Sequence, residues 1–443
     1  MSIVAAKRHP LGIAYLARTD RWLPGRGDAT VDLLWVALAL ALVRGIIYAL
    51  LNPPFGSPDE RDHVQYVRYL ATGQGERGAE GHQPVPYYLL MVPAYLLAAA
   101  GGREMEDLAI RLASVPFLMG MVLFTWLAAR RMAPGRPVVP VVATALVGLH
   151  PQLAYIGASA NNDNAANLMA AVLTYLMVTL LSKDVPAWAV PTTAVALGAA
   201  LMTKGQILPV MGLYGLVLFL KVLSWALPRH RAATLAALAL AAAVVQVALS
   251  TPEGAIMRAR LMGNLGLLLV GLHDLGAAAG RFGTEALWYE YSSFWAAFMG
   301  ESLRLPAELY LLATLLVAAG LVGAAVRVVV PAAGGRGAGR AMLLVLILAV
   351  VVQASAQYLL HLTLVNSYPT EAYLLQTIQG RYLFVALPAL ALLAAEGLDA
   401  LAGGRAGSPR PWVAAVAVAV LALFEAASLG ALGWGYRAWA SVG

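Results

Sequence analysis

Apolar runs of about 20 residues recur along the whole chain, each closed by a short polar or cationic turn. A run of that length matches the thickness of a bilayer's hydrocarbon core. Eleven such stretches are expected: 31–52, 113–131, 137–157, 164–182, 187–203, 206–226, 232–250, 305–328, 341–362, 382–402 and 412–433. The runs are continuous and rich in Leu and Ala, which predicts helices rather than the alternating strands of a membrane barrel. The fold class is therefore an all-α polytopic membrane protein of about eleven spans, read as a single domain over 1–443.

Composition agrees. Of 443 residues, 60% are hydrophobic and only 12% charged, and the mean hydropathy is +0.73. A soluble domain carries about twice that share of charge. The net charge of +7 is best read through topology, not nucleic acid, because Lys and Arg collect on cytoplasmic loops. Arg130, Arg131, Arg136, Lys183, Lys221, Arg229, Arg231, Arg327, Arg336, Arg340, Arg405 and Arg410 all fall on one side of the threading. Lys7, Arg8, Arg18, Arg21 and Arg26 precede the first span and predict a retained cytoplasmic N-terminus. Residues 85–101 are interrupted by Pro93 and must then be juxtamembrane or re-entrant. Cysteine is absent, which excludes disulfides, thiol nucleophiles and Cys-ligated metals.

The same threading puts two long polar segments, 53–112 and 251–304, on the extracytoplasmic face. The turns around Asn161-Asn162-Asp163, Lys204 and Gln379-Gly380-Arg381 join them there. The opposite loops, such as AAGGRGAGR and GGRAGSPR, read as plain cationic linkers.

The densest polar stretch is FGSPDERDHVQYVRYLATG, residues 55–73. Ser57-Pro58-Asp59-Glu60 fits a capping box, with Ser57 as the cap and Glu60 reaching back. A helix from Pro58 to about Ala71 would place Asp59, His63, Tyr66 and Leu70 on one face. Val64, Val67 and Ala71 would form an apolar stripe lying on the membrane surface. Asp59 and Glu60 are then either helix punctuation or active-site carboxylates. Nearby, GHQPVPYYLL adds His82, Gln83 and the Tyr87-Tyr88 pair.

PDERDHVQYVRYLATGQG followed by HQPVPYYLLMVPAYL resembles the first external loop of the GT-C glycosyltransferase superfamily. More narrowly, it is similar to bacterial polyprenyl-phosphate-sugar-dependent transferases related to protein O-mannosyltransferases and the aminoarabinose lipid A transferase. HPQLAYIGASANNDNAANLM (150–169), SSFWAAFMG (292–300) and QGRYLFVALPAL (379–390) continue the resemblance. It implies an inverting transfer from a polyprenyl-phosphate-linked sugar to a lipid, glycan or protein hydroxyl, at the outer face of a prokaryotic plasma membrane. Asp59 matches the family's general base, with Glu60 beside it, and Asp163 is a second acidic position. The physical logic is that a carboxylate takes the acceptor's proton while cations stabilise the departing lipid phosphate.

Each remaining candidate carries a bland alternative. Asp163 fits a helix cap as well as a second active-site carboxylate. Lys204 could snorkel to the interface or hold a phosphate, and Arg381 could grip a phosphate with its fork. LWYEYSSFWAAF (287–298) reads as an aromatic belt, although Trp295 could stack on a sugar. His63 and His82 read as hydrogen-bonding loop residues. Together with Tyr66, Gln83, Tyr87, Asn162, Gln379 and Tyr382, these are the candidate substrate contacts. Glu290 and Glu301 flank the aromatic cluster without an assigned role. No cofactor is required by the sequence, and a divalent ion has no ligand cluster of convincing spacing. A secondary transporter is the alternative reading, but it would need ionisable groups at mid-membrane. Arg44 is the main one in view, with Gln353 and Gln357 merely polar. A non-catalytic membrane assembly factor would need neither Asp59 nor Arg381.

Overall fold

The computed structural model describes residues 29–224, 228–251, 284–299, 302–330, 337–367, 379–404 and 410–441, with a few single positions between 255 and 263. The cationic N-terminal residues, most of the 251–304 segment, Glu301, Arg336 and Arg405 lie outside them.

Among the described residues fifteen α-helices follow one another. They are α1 (Ala29–Leu51), α2 (Glu60–Thr72), α3 (Pro86–Ala98), α4 (Arg103–Met132), α5 (Val138–Gly148), α6 (Pro151–Gly157), α7 (Asp163–Leu181) and α8 (Ala189–Leu201). After them come α9 (Leu208–Ser224), α10 (Pro228–Leu249), α11 (Thr284–Trp295), α12 (Ala307–Val329), α13 (Gly337–Ser367), α14 (Leu387–Leu401) and α15 (Pro411–Ala440). Among the described residues the strands are one antiparallel pair, β1 (Ala297–Phe298) with β2 (Leu303–Arg304).

Among the described residues eight helices are long and apolar enough to cross a membrane, and a ninth span is formed by α5 and α6 if that bent pair is counted as one. The remaining differences from eleven spans have physical reasons. The 137–157 stretch is a 58° bend rather than one rod. At the break His150 adopts an extended backbone and its Nδ1 accepts from the Leu153 amide at 3.3 Å, while Pro151 opens α6. The 187–203 stretch yields 13 residues of helix, about 20 Å at 1.5 Å per residue and shorter than the hydrocarbon core. In α10 the apolar stretch among the described residues is only Leu238–Val247. Conversely, α4 begins ten residues ahead of the expected span, so its charged first turns reach into the 53–112 segment. The 85–101 stretch forms the 13-residue α3.

The packing of α12 on α14 depends on small residues. A Cβ on Gly323 would lie 2.2 Å from the Gly397 carbonyl oxygen, so the helices touch backbone to backbone, as membrane helices do where small residues face each other. This fixes α14, whose leading 3-10 turn, Gly380–Ala386, carries Arg381.

Buried charges tie the bundle together. Arg44 on α1 donates from Nε to Glu425 on α15 at 2.5 Å, and the Tyr48 hydroxyl donates to the same carboxylate at 3.2 Å. Arg44 therefore has a buried partner that the sequence did not identify. The end of the bundle expected to be plainly cationic also carries a clamp: Arg136 pairs with Glu396 at 2.5 Å and Asp399 at 3.1 Å, and Arg327 with Glu396 at 2.9 Å. Two carboxylates at the end of α14 thus offset part of the positive charge there.

Candidate active site

At the other end of the bundle, four charged side chains from distant segments converge. Asp59 heads α2, Asp163 heads α7, Lys204 follows α8, and Arg381 lies in the turn before α14. Arg381 Nη2 donates to Asp59 Oδ2 at 2.5 Å, and its Nε lies 3.5 Å from Asp163 Oδ2. Lys204 Nζ donates to the other oxygen of Asp163 at 2.5 Å. Tyr382 faces both cations, its ring centre 5.1 Å from the Arg381 guanidinium and 5.7 Å from the Lys204 ammonium. A ring's negative face attracts cations and holds them without neutralising them.

Local geometry explains how each group is presented. Helix α2 starts at Glu60, two residues later than a Pro58 start. Asp59 occupies the cap position with φ 61, in the left-handed region, and its side chain caps nothing. Its carboxylate is 43% exposed, so it remains reachable. Half of the expected capping box survives: Glu60 accepts from the Ser57 amide at 3.4 Å, while the Ser57 hydroxyl accepts from Asn52 at 2.7 Å. Asp163 is not the cap of α7 either. Its own amide donates to the Asn161 side chain at 2.9 Å, and Asn162 stands at the cap position. Both aspartates are thereby released from helix punctuation.

Arg381 is placed by Gly380. A Cβ there would meet the Glu290 carbonyl oxygen and the Phe294 amide nitrogen at 2.3 Å, and the Gly380 amide donates to the Ser293 hydroxyl at 2.9 Å. Only a glycine lets the turn press this closely on α11. The Arg381 Nη1 atom is buried without a hydrogen-bond partner.

The electrostatics follow. Burial pushes the Asp59 carboxyl up, but Arg381, aided by Lys204 and His63, outweighs it and holds the group down at about 2. Burial works against the charge of Lys204, yet Asp163 keeps its ammonium above the ordinary lysine value. Asp59 is thus a carboxylate and Lys204 a cation at neutral pH.

Glu60, the other expected catalytic carboxylate, belongs to a different group. It is fully buried, and Arg111 from α4 donates to its two oxygens at 2.9 and 2.6 Å, with the Ala160 amide adding a bond at 3.0 Å. Arg111 also donates to the carbonyls of Ala49, Asn52 and Pro53 and pairs with Asp107 at 2.9 Å. This hub fastens α1, α2, α4 and the turn before α7, and so sets where Asp59 stands. Arg111 was not singled out in the sequence, where nothing distinguishes it from other interfacial arginines.

The remaining candidates divide. Asn162 donates to Gln83 and to the Thr203 carbonyl, both at 3.3 Å, beside Lys204. Gln83 donates to Glu80 at 2.8 Å, and His82 Nδ1 lies 2.7 Å from the Ala79 carbonyl. Tyr87 receives the Asn161 amide at 2.9 Å and meets Ser114 at the same distance. His63 Nδ1 lies 2.8 Å from the Tyr88 hydroxyl, and Tyr66 packs 4.4 Å from the Tyr88 ring. Val64 and Val67 are buried with Tyr87, Tyr88, Met91 and Ile110; the apolar stripe of α2 faces α3 and α4, not the lipid. Gln379 heads the turn that carries Arg381, and the Tyr382 carbonyl accepts from Gln353 at 3.1 Å. Trp295 is buried and stacked 5.3 Å from His150. Glu290 comes within 3.5 Å of His361. Among the described residues no three His, Cys, Asp or Glu side chains gather as metal ligands.

Solved structures share this architecture. ArnT from Cupriavidus metallidurans bound to undecaprenyl phosphate superposes with a TM-score of 0.50 at 16% identity, over 91% of this chain and 76% of that one. The oligosaccharyltransferase of Archaeoglobus fulgidus in its apo form matches with a TM-score of 0.50 at 13% identity, over 90% of this chain and 56% of that one. Both are GT-C glycosyltransferases. The fold is GT-C. No family model and no curated protein matches the chain. The GT-C fold agrees with the loop motifs: the 53–112 segment, the turn at 161–163 and the turn at 379–381 meet at one end of the bundle.

Proposed function

We propose that the protein is an inverting glycosyltransferase that moves a sugar from a polyprenyl-phosphate carrier to an acceptor hydroxyl at the extracytoplasmic face of a prokaryotic plasma membrane. The observation that carries this reading is the convergence of Asp59, Asp163, Lys204 and Arg381, with Asp59 reachable and the Arg381 fork incompletely satisfied. ArnT, which shares the fold, was solved with undecaprenyl phosphate bound, and that supports a lipid phosphate as the donor's leaving group.

In this scheme Arg381 and Lys204 receive the donor phosphate. Two cations beside a departing phosphate stabilise the charge that grows as the anomeric carbon–oxygen bond breaks. Engaging Arg381 with phosphate removes its attraction from Asp59, whose basicity then rises from its resting value. The acceptor oxygen attacks the anomeric carbon from the opposite side and gives its proton to Asp59. The products are the inverted glycoside and the free polyprenyl phosphate. Asp163 holds Lys204 and Arg381 in place, and Glu60 holds α2 through Arg111. His63, Tyr66 and Tyr87 shape the wall behind Asp59.

The test uses protein in nanodiscs with a panel of radiolabelled polyprenyl-phosphate sugars and membrane extract. Label should pass to an acceptor, or to water slowly, with wild type and not with Asp59→Asn. Equal transfer by both proteins would defeat the assignment.

A further inference from the structure

Helix α2 has a second functional-looking face. Arg61, Gln65 and Arg68 recur at spacings of four and three, so they share a side of the helix roughly opposite the one bearing His63 and Tyr66. There, with Val64, they line an open cavity of about 370 Å³, bordered by Phe55 before the helix and by Gln74 and Glu76 after it. That volume lies at the small end of ligand pockets, roughly 300–1,000 Å³.

The lining has a distinctive chemistry. Phe55 holds φ 56, a left-handed backbone that is an outlier for an aromatic residue, and the Arg61 guanidinium stands 5.9 Å over its ring. The Gln65 and Gln74 amides make no side-chain hydrogen bond among the described residues. Charge is balanced: Arg68 is paired with Glu106, and Glu76 offsets Arg61. A balanced lining gives little net attraction to a phosphate or a metal cation. It suits a neutral ligand with one apolar face and many hydroxyls. Amides both donate and accept, as hydroxyls do, and the ring offers a flat apolar floor.

We propose that this cavity binds a pyranose unit of the acceptor, at a distance from the reacting hydroxyl. What carries the sugar rests on the transferase reading above; the sugar itself rests on the cavity. Phe55 and Asp59 are four residues apart, so a saccharide held on this face runs round the head of α2 toward the carboxylate.

The experiment is saturation-transfer NMR on the full chain in zwitterionic nanodiscs, with maltotriose, mannotriose, chitotriose and, separately, inorganic phosphate. At least one trisaccharide should bind saturably. Phe55→Leu, which keeps apolar bulk but loses the flat ring, and Gln74→Ala on the surface should each weaken binding about tenfold, near 1.4 kcal/mol. Gly215→Ala on α9, where an added methyl meets nothing within 4 Å, should bind as wild type does. Absence of binding by every sugar, binding indifferent to both substitutions, or binding of phosphate alone would overturn the proposal. Trisaccharide binding in a protein that transfers nothing from any donor counts for the cavity and against the transferase.

Discussion

Arg381 Nη2 and Asp59 Oδ2 are 2.5 Å apart across 322 residues of sequence. The guanidinium is 1% exposed and the carboxylate 43%, so the pair is a buried cation beneath a reachable anion. In the resting protein the cation holds the carboxyl at about 2, which makes it a poor base. On the proposed reading, a lipid phosphate that competes for the guanidinium would convert it into a better one and so couple donor binding to base activation through a single side chain.

Asp59→Asn keeps the shape and the hydrogen bond to Arg381 but removes the proposed proton acceptor. Because Asp59 caps nothing and is partly exposed, its replacement should leave the thermal midpoint within a few degrees. Transfer should fall by about 10²–10⁴-fold, the usual contribution of a general base. Turnover in nanodiscs beside a melting curve checks both. A large loss of stability would mean that Asp59 is structural.

Arg381 should behave differently. Truncating it leaves Asp163 buried with one cation fewer, and breaking a buried pair costs about 3–5 kcal/mol. Arg381→Ala is therefore expected to melt well below wild type. Arg381→Lys restores the charge without the fork and can hold one aspartate at a time, not two. It should fold, and its transfer rate should drop by at least about tenfold with weaker donor binding. Full activity in Arg381→Lys would show that bridging the two aspartates is unnecessary.

Gly380→Ala tests whether position, not charge alone, matters. Its methyl group would sit 2.3 Å from the Glu290 carbonyl, a separation that forces the turn off α11 and moves Arg381 with it. Activity should fall although every charged residue remains. Gly215→Ala on α9 meets nothing within 4 Å, so it should be neutral or slightly stabilising. Similar behaviour of the two variants would remove Gly380 from the argument.

Much of the site was legible because its residues break the hydrophobic pattern. Asp59, Asp163, Lys204 and Arg381 are each a charge at the edge of an apolar run, and topology assigns them to one face. Their pairing was not legible, since it depends on how α2, α7 and the 379–386 turn meet in space. Glu60 could not be told from Asp59, because adjacent carboxylates look alike in sequence. Only the direction each leaves the chain, set by the left-handed backbone at Asp59, sends one to Arg381 and the other to Arg111. Among the described residues fewer helices than the eleven expected are long enough to cross, for a similar reason. Hydropathy registers apolar length but not the His150-Pro151 break. Glu425, Glu396 and Asp399 had no visible partners, so the clamp and the mid-bundle pair stayed hidden.

The Arg44–Glu425 pair joins α1 to α15 in the apolar interior. Arg44→Met alone should destabilise strongly, because it strands a buried carboxylate. Arg44→Met with Glu425→Leu should recover most of that loss, and transfer should persist, because neither residue touches the four-charge cluster. Thermal midpoints of the single and double variants form the cycle. A double variant no better than the single would mean that Tyr48 and the His150 carbonyl, which accepts from Arg44 Nη2 at 3.4 Å, depend on the pair for more than charge balance.

His63 contributes to the pH dependence. It is fully buried, with Nδ1 2.8 Å from the Tyr88 hydroxyl, and burial holds its pKa at about 4 against an ordinary 6.5. The folded protein therefore keeps this imidazole neutral where the unfolded chain would protonate it. Between about pH 6.5 and 4 the unfolded state binds more protons, so stability rises with pH across that window and falls on acidification. Asp59 works lower down. Its depressed carboxyl stabilises the fold above its ordinary 3.8 and loses that contribution as pH drops toward 2. Wild type should thus lose thermal stability in two stages, the first between pH 6.5 and 4. In His63→Gln, which retains a hydrogen-bonding side chain but no titration, the first stage should flatten while the second persists. An unchanged slope above pH 4 in His63→Gln would place the titrating group elsewhere.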